Sequence, residues 1–380
     1  AVVLMAVVSA VWAPQMQQWE ERLASRTWSL ANPDATERRV VVVDIDEKST
    51  QALGPWPWPR ERVATLLSGL DAYGVNLKVV DVLFDGAQDA AQDQKLAAAL
   101  KAGAPTVISQ VFALNPQAQL KSGQLAGAMG ACAIHGTPAF GFMGAETLLA
   151  QSSAGVGHIT PIIDADGSIR RVPAVVCYEG QAYPALAVSA LAAATGAQPV
   201  WRNSPAGLFS ASSAQHLDVG GLQLPLDANG QLRVSYQMPR DGFASVSAVE
   251  VLQGKVPPHM LKGAWVLVGS TAFGGGDAVP TPQGGAVGGV EVHAQLMSAA
   301  LDARTPFVPA WAPLWPLATG LVALLVLVFS LRAAGPKAAV VMPLVAVATG
   351  ASIFAVHAVL LLVAHQWLGW GQPVVFVALA

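Results

Sequence analysis

The uneven spread of charge constrains this chain more than any other feature. After residue 310 the only Lys, Arg, Asp or Glu side chains are Arg332 and Lys337, so 43 of the 45 such residues lie in the first 310 positions of a 380-residue chain. Residues 311–332 and 338–364 are each long and apolar enough to cross a hydrocarbon core of roughly 30 Å at about 1.5 Å per residue. With 53% hydrophobic and 12% charged residues overall, the chain reads as a water-soluble body followed by a membrane tail. Apolar runs at residues 1–12 and 372–380 read as parts of further spans that continue outside the sequence, which makes one span before the body and three after it.

Arg332 and Lys337 flank the short turn between the two complete spans, and the positive-inside rule places that turn in the cytoplasm. Trp311 and Trp315 open the first span and Trp367 and Trp370 follow the second, so all four fall at the opposite, outer interface. Residues 13–310 are then expected outside the cytoplasm, in a multi-pass protein. Residues 13–37 read as a juxtamembrane amphipathic helix and linker, with Met16, Trp19, Leu23 and Leu30 at heptad-like steps. Such a helix can pack on its own domain or pair with a second copy.

The body alternates strand and helix signals. Residues 38–46 (RRVVVVDID) form an apolar Val-rich run of the kind buried on both faces of a sheet. A Pro-punctuated turn (GPWPWPR), a helical pattern over 61–73 and a second buried strand (LKVVDVLFDG) follow, which predicts a βαβ unit with parallel strands. Further buried strands are expected at 105–112 and 263–269, helices at 93–101, 183–195, 246–253 and 290–301, and hairpins at Asp164 and Asp227. The expected class is α/β, with a mixed, largely parallel central sheet. Cys132 and Cys177 suit either one disulfide or two buried thiols.

Clustered Lys and Arg are missing and the net charge is -3, which excludes a nucleic-acid partner. The seven histidines form no metal-ligand spacing, and no Gly-x-Ser-x-Gly elbow occurs, so no metal, cofactor or catalytic residue is assigned. Ligands of open α/β sheets gather beyond the carboxyl ends of the strands. Asp44, Asp46, Asp81 and Asp85 fall there, as does the Gly-rich loop after residue 269, with Gly269, Thr271 and Asp277. That loop lacks the Gly-Lys-Ser/Thr of a phosphate-binding loop. The DID triplet resembles the start of haloacid-dehalogenase-type phosphatases, but Glu47 and Lys48 replace the residues that family needs next. A membrane-tethered hydrolase using the four aspartates is the competing enzyme reading.

Three segments resemble the type 2 CHASE domain, an extracytoplasmic sensor found in nucleotidyl cyclases, histidine kinases and Ser/Thr kinases. They are VVVVDIDEKSTQALGPWPWPRERVATLLSGLDAYGVNLKVVDVLFD, GHITPIIDADGSIRRVP, and LKGAWVLVGSTAFGGGDAVPTP with GVEVHAQLMSAAL. The resemblance implies a sensor over residues 38–310 that regulates a cytoplasmic output domain, with a class III adenylate or guanylate cyclase favoured and a kinase as the alternative. It also implies a bacterial inner-membrane location, contact with the lipid bilayer, a homodimer, and a periplasmic protein or small ligand as stimulus. Candidate contacts are Asp44, Asp46, Trp56, Trp58, Arg60, Asp81, Asp85, Gly269, Thr271, Asp277, Glu291 and His293. Signal transfer is expected through the proline-stiffened joint at Pro306, Pro309, Trp311 and Pro313.

Overall fold

A computed structural model describes residues 15–28, 35–118, 120–132, 136–204, 212–239, 241–272, 278–283 and 286–379. Two compact units emerge: Ala1–Ala31, Ser204–Ala214 and Pro306–Ala380 form one, and Asn32–Asn203 with Gln215–Thr305 the other. In chain order, helix α1 (15–28) precedes β1 (Glu37–Ile45), α2 (Glu47–Leu53), α3 (Arg60–Ala72), β2 (Leu77–Val80), α4 (Ala90–Lys101) and β3 (Thr106–Ala113). Next come β4 (Lys121–Ser122), β5 (Thr137–Pro138), β6 (Gly141–Met143), α5 (Thr147–Ser152), β7 (Gly155–His158), β8 (Ile162–Ile163), β9 (Ile169–Pro173), β10 (Val175–Tyr178) and β11 (Gln181–Pro184). They lead to α6 (Leu186–Thr195), β12 (Val200–Asn203), β13 (Gln215–Val219), β14 (Leu222–Leu226), β15 (Gln231–Arg233), β16 (Phe243–Ser247), α7 (Ala248–Leu252) and α8 (Pro258–Leu261). The body closes with β17 (Trp265–Ser270), β18 (Ala278–Pro280), β19 (Ala286–Gly288) and α9 (Gly289–Leu301).

The body is α/β, as the alternation of strand and helix patterns requires. Its main sheet runs β16-β1-β17-β2-β3-β6-β4, with β7 also paired to β3. The pairs from β16 to β3, and β3 with β7, are parallel, while β6 is antiparallel to β3. The βαβ expectation needs one correction. β1 and β2 are parallel but not neighbours, because β17 lies between them. The apolar run of β17 is buried from Val266 to Ser270, so the centre of the sheet is its stable place.

Alternation along the strands divides the side chains between two faces. Val41, Val43, Val80, Ile108 and Val268 pack with Leu66, Leu67, Leu96 and Leu149 in one continuous core against α3, α4 and α5. The opposite face carries α6 and α9. Trp58 joins the first core, 5% exposed, and its indole N–H donates to the Gly54 carbonyl at 3.0 Å. Trp56 meets it edge-on at 5.8 Å, and the Arg62 guanidinium lies over the Trp58 ring at 5.6 Å.

β2 ends at Val80, and Asp81–Gly86 leaves the sheet instead of prolonging the strand. The Asp164 turn closes the expected hairpin between β8 and β9, with Arg170 and Arg171 paired to Asp164 and Arg170 to Asp166. The Asp227 turn differs: β14 pairs with β13, but β15 pairs with β9. Asp227 Oδ1 accepts from the N–H groups of Asn229 and Gln231, which turns the chain but leaves each arm free to join another sheet. Cys132 and Cys177 form a disulfide with Cα atoms 5.6 Å apart.

In the other unit, residues 312–364 make a 53-residue helical run whose most apolar stretch reaches a mean hydropathy of 2.3, the one run among the described residues long and apolar enough to cross a membrane. A 3-10 turn at Gly335–Lys337, with Gly335 at φ 52°, divides it into α10 (Trp315–Ala334) and α11 (Ala338–Ala364). Both pack with α12 (Gly371–Leu379) through Ala323, Ile353, Trp370 and Val377. α1 belongs to this unit, with Trp28 6.2 Å from Trp367 and Glu20 accepting from the Gly371 N–H. The apolar segment at residues 1–12 lies outside the described residues.

Replacing Trp58 with Ala removes a buried ring and its hydrogen bond. Chemical denaturation of the full chain should show a loss of about 3–5 kcal/mol. An unchanged denaturation midpoint would show that the WPWPR turn is not part of the core.

Candidate functional site

The parallel register builds a row of small and polar residues across the carboxyl ends of the strands. Asp44 on β1 lies opposite Gly269 on β17. Val80 pairs with Val268 and with Ile108, so one step further Asp81 follows Gly269 and Ser109 follows Asp81. Ser109 in turn pairs with Gly157 on β7. The row therefore reads Asp44, Gly269, Asp81, Ser109, Gly157, on the face that carries α6 and α9.

Both glycines let a helix touch the strand. A Cβ on Gly269 would stand 2.7 Å from the Val290 Cβ in the first turn of α9, and one on Gly157 would stand 2.5 Å from the Leu186 Cα of α6. The two carboxylates on either side of Gly269 differ in surroundings. Asp44 accepts from the Thr271 N–H at 3.0 Å and the Thr271 hydroxyl at 2.6 Å. Desolvation still raises its pKa, with Asp46 and Glu47 adding to the rise and Thr271 opposing it. Asp81 is 7% exposed, its Oδ1 has no hydrogen-bond partner, and burial pushes its pKa up to about 7. The Ser109 hydroxyl beside it is fully buried and also without a partner.

Other candidate residues have structural partners. Asp46 caps α2, accepting from the Ser49 N–H and the Ser247 hydroxyl, each at 2.8 Å. Arg60 is 1% exposed, pairs with Asp93, and donates to the carbonyls of Asp85 and Gly86. The Asp85 side chain is exposed. Trp56, Trp58 and Arg60 thus gather at the start of α3, with Trp58 in the core on the opposite face from the polar row. Glu291 is half-buried and His293 buried on α9. Asp277 lies outside the described residues. Pro306, Pro309, Trp311 and Pro313 belong to the other unit, where Pro309 bridges to Ser213 and the adjacent Phe307 to Gln366.

A family model for the CHASE2 domain matches residues 2–331. The chain belongs to the CHASE2 family. CHASE2 domains are extracytoplasmic sensors of membrane signalling proteins. Comparison with curated proteins and with solved structures gave no match.

A second constellation of this CHASE2 domain escaped the sequence reading. Glu37, at the start of β1, binds Arg39 through Nε at 3.0 Å and a terminal guanidinium nitrogen at 2.6 Å. It also accepts from the Ser298 hydroxyl at 2.7 Å. Arg39 reaches Asp302, the residue after α9, at 2.7 Å across 263 positions of sequence. The segments by which the chain enters and leaves the sensor unit are thereby clamped together. They line an open cavity of about 570 Å³ with Arg38, Met238 and Arg304. Burial alone would raise the Glu37 pKa, but the hydrogen bonds from Arg39 and Ser298 outweigh it and hold the group at about 2. Arg39 is half exposed, so solvent weakens its charge contribution.

Arg39→Ala leaves the buried Glu37 carboxylate with fewer donors and should cost about 1–3 kcal/mol near neutral pH. Because the folded pKa of Glu37 is depressed, its stabilisation is present above about 4.5 and is lost as pH falls toward 2. The difference between wild type and variant should shrink over that window. Urea denaturation at several pH values checks this, and a constant difference would contradict the clamp.

Proposed function

We propose that the chain is the sensing and membrane portion of a bacterial inner-membrane receptor that controls a cytoplasmic nucleotidyl cyclase. The supporting observation is the Glu37–Arg39–Asp302 clamp. It joins the segment that follows α1 to the end of α9, and α9 covers the polar row with its first turn. A stimulus that shifts α9 at Val290 acts through a helix of 13 residues, about 20 Å long at 1.5 Å per residue. The movement reaches both chain connections at once. Output is assigned to a class III cyclase by the association of this sensor class with such enzymes.

Physical arguments support the proposed topology, with residues 13–310 outside. The Cys132–Cys177 disulfide belongs in an oxidising compartment. Trp311 precedes α10 and Trp315 opens it, with their rings 6.3 Å apart, and Trp367 and Trp370 follow α11. Arg332, in the last turn of α10, and Lys337, closing the 3-10 turn, lie at the other end, which suits an outer aromatic belt and a cytoplasmic positive turn. Trp19 is 61% and Leu23 36% exposed, four positions apart on α1, a seam suited to the proposed homodimer. The asymmetric row suits either a small ligand or a periplasmic protein that touches Asp44, Thr271 and the start of α9. Asp46 and Arg60 act in this scheme as supports for the site.

The joint tests the mechanical step. Replacing residues 305–310 with a Gly/Ser segment of equal length should preserve insertion and folding but abolish stimulus-dependent cyclic-nucleotide output. Full stimulus dependence in that variant would refute transmission through this joint. Topology is tested separately by a membrane-impermeant maleimide. A cysteine at position 198 should react in intact cells with a permeable outer envelope and one at position 334 should not; the reverse pattern would overturn the receptor reading.

A further inference from the structure

Asp81 stands apart from the other buried carboxylates among the described residues of the sensor. Arg60 has Asp93, and Lys78 has Asp71 at 2.7 Å. Asp81 has a buried oxygen with no partner, and it directly follows β2, the fourth and middle strand of the seven along the main sheet path. Its row neighbours are Gly269 and Ser109, and the helix turns seated on Gly269 and Gly157 close that face of the sheet.

We propose that Asp81 is a proton-binding switch: neutral, it lets α6 and α9 stay seated over the polar row, and ionised, it draws water beneath them and loosens the first turn of α9. The proposal rests on the reading that α9 carries the signal, and it names the proton as one stimulus of that site. A buried carboxyl can remain in an apolar layer cheaply only as the neutral acid, since an isolated buried charge costs far more than a neutral polar group. The raised pKa, near 7, puts the change within the pH range an extracytoplasmic domain meets.

Among the described residues, the elements packed around Asp81 supply no Lys or Arg facing it. β17 and β3 carry no ionisable side chain, and neither does α6. Asp44, one strand beyond Gly269, is itself acidic and is held by Thr271. The ionisable groups of α9 are Glu291 and His293. His158, on β7, is fully buried, and its pKa is lowered to about 3, first by burial and then by His293, so it stays neutral. Desolvation is the whole cause of the Asp81 shift.

The sign of the effect separates Asp81 from histidine. Folded Asp81 keeps a proton that the unfolded chain releases above about pH 4, so its contribution to stability is present below that pH and is lost as pH rises to about 7. A buried histidine that must charge on acidification would produce the opposite slope.

Thermal unfolding of the full chain in lipid nanodiscs, followed by tryptophan fluorescence between pH 5 and 8, reads this directly. The wild-type melting temperature should fall by several degrees as pH rises, Asp81→Asn should abolish the fall, and Asp44→Asn and His293→Gln should retain it. Amide exchange in the first two turns of α9, corrected for intrinsic rates, should quicken at high pH in wild type alone. If Asp81→Asn does not fold, infrared spectra of wild type serve instead: a protonated carboxyl band should disappear between pH 6 and 8. A wild-type melting temperature that is flat or rising over this range, an undiminished fall in Asp81→Asn, or no such band would overturn the proposal. None of these readouts uses the output domain, so their failure leaves the receptor reading intact. A pH-dependent α9 with unaltered output would count against the receptor reading alone.

Discussion

The placement of β17 between β1 and β2 is the constraint on which the sensor depends. A strand formed late in the chain completes the sheet begun at Glu37, bringing Thr271 into contact with Asp44 across 227 positions. Because β17 is parallel to β1, the chain finishes it at the carboxyl end of the sheet and must return along α9 to leave. That return delivers Asp302 to Arg39. The closeness of the two chain connections thus follows from parallel pairing, and the ion pairs fix an arrangement the topology has already made.

Burying a strand so far from its neighbours in sequence incurs a large loop-closure entropy, which the apolar faces of β1, β2 and β17 offset. At their carboxyl ends the pattern changes abruptly. Valines give way to Asp44, Gly269, Asp81 and Ser109, and the two helices that cover this row approach through glycines instead of interdigitated side chains. Within this packed layer one carboxyl oxygen of Asp81 has no hydrogen-bond partner, a costly arrangement for a polar group in a low-dielectric surrounding. The two ends of α9 therefore meet different features: Val290 in its first turn lies against Gly269 of the polar row, and Asp302 just past its last turn pairs with Arg39.

Much of this fold was legible in the sequence because burial leaves a pattern. The unbroken valines of β1, the helical spacing of Val63, Leu66, Leu67 and Leu70, and the α9 segment each specify an element and its buried face. Adjacency leaves none: periodicity marks β17 as a buried strand but cannot say that it separates β1 from β2. The same limit hid the divergence of β14 and β15, whose turn chemistry at Asp227 is that of a hairpin. Cys132 and Cys177 could not be paired from spacing. At the site, strand-end position picked out Asp44 and Asp81, which lie on either side of Gly269 in one row, but it gave Asp46 the same standing although that residue caps a helix, and the resemblance did so for Arg60, which braces one. Glu37, Arg39 and Asp302 carried no signal, since isolated charged residues at strand and helix ends are ordinary until topology joins them.

The central claim is that the incoming and outgoing segments of the sensor form one mechanical unit. Spin labels at Thr36→Cys and Arg304→Cys in the full chain, with the native disulfide retained, report their separation by pulsed dipolar spectroscopy. A single narrow distance distribution is expected, broadening markedly when Arg39→Ala removes the link between Glu37 and Asp302. A distribution that is equally broad with and without Arg39 would contradict the account.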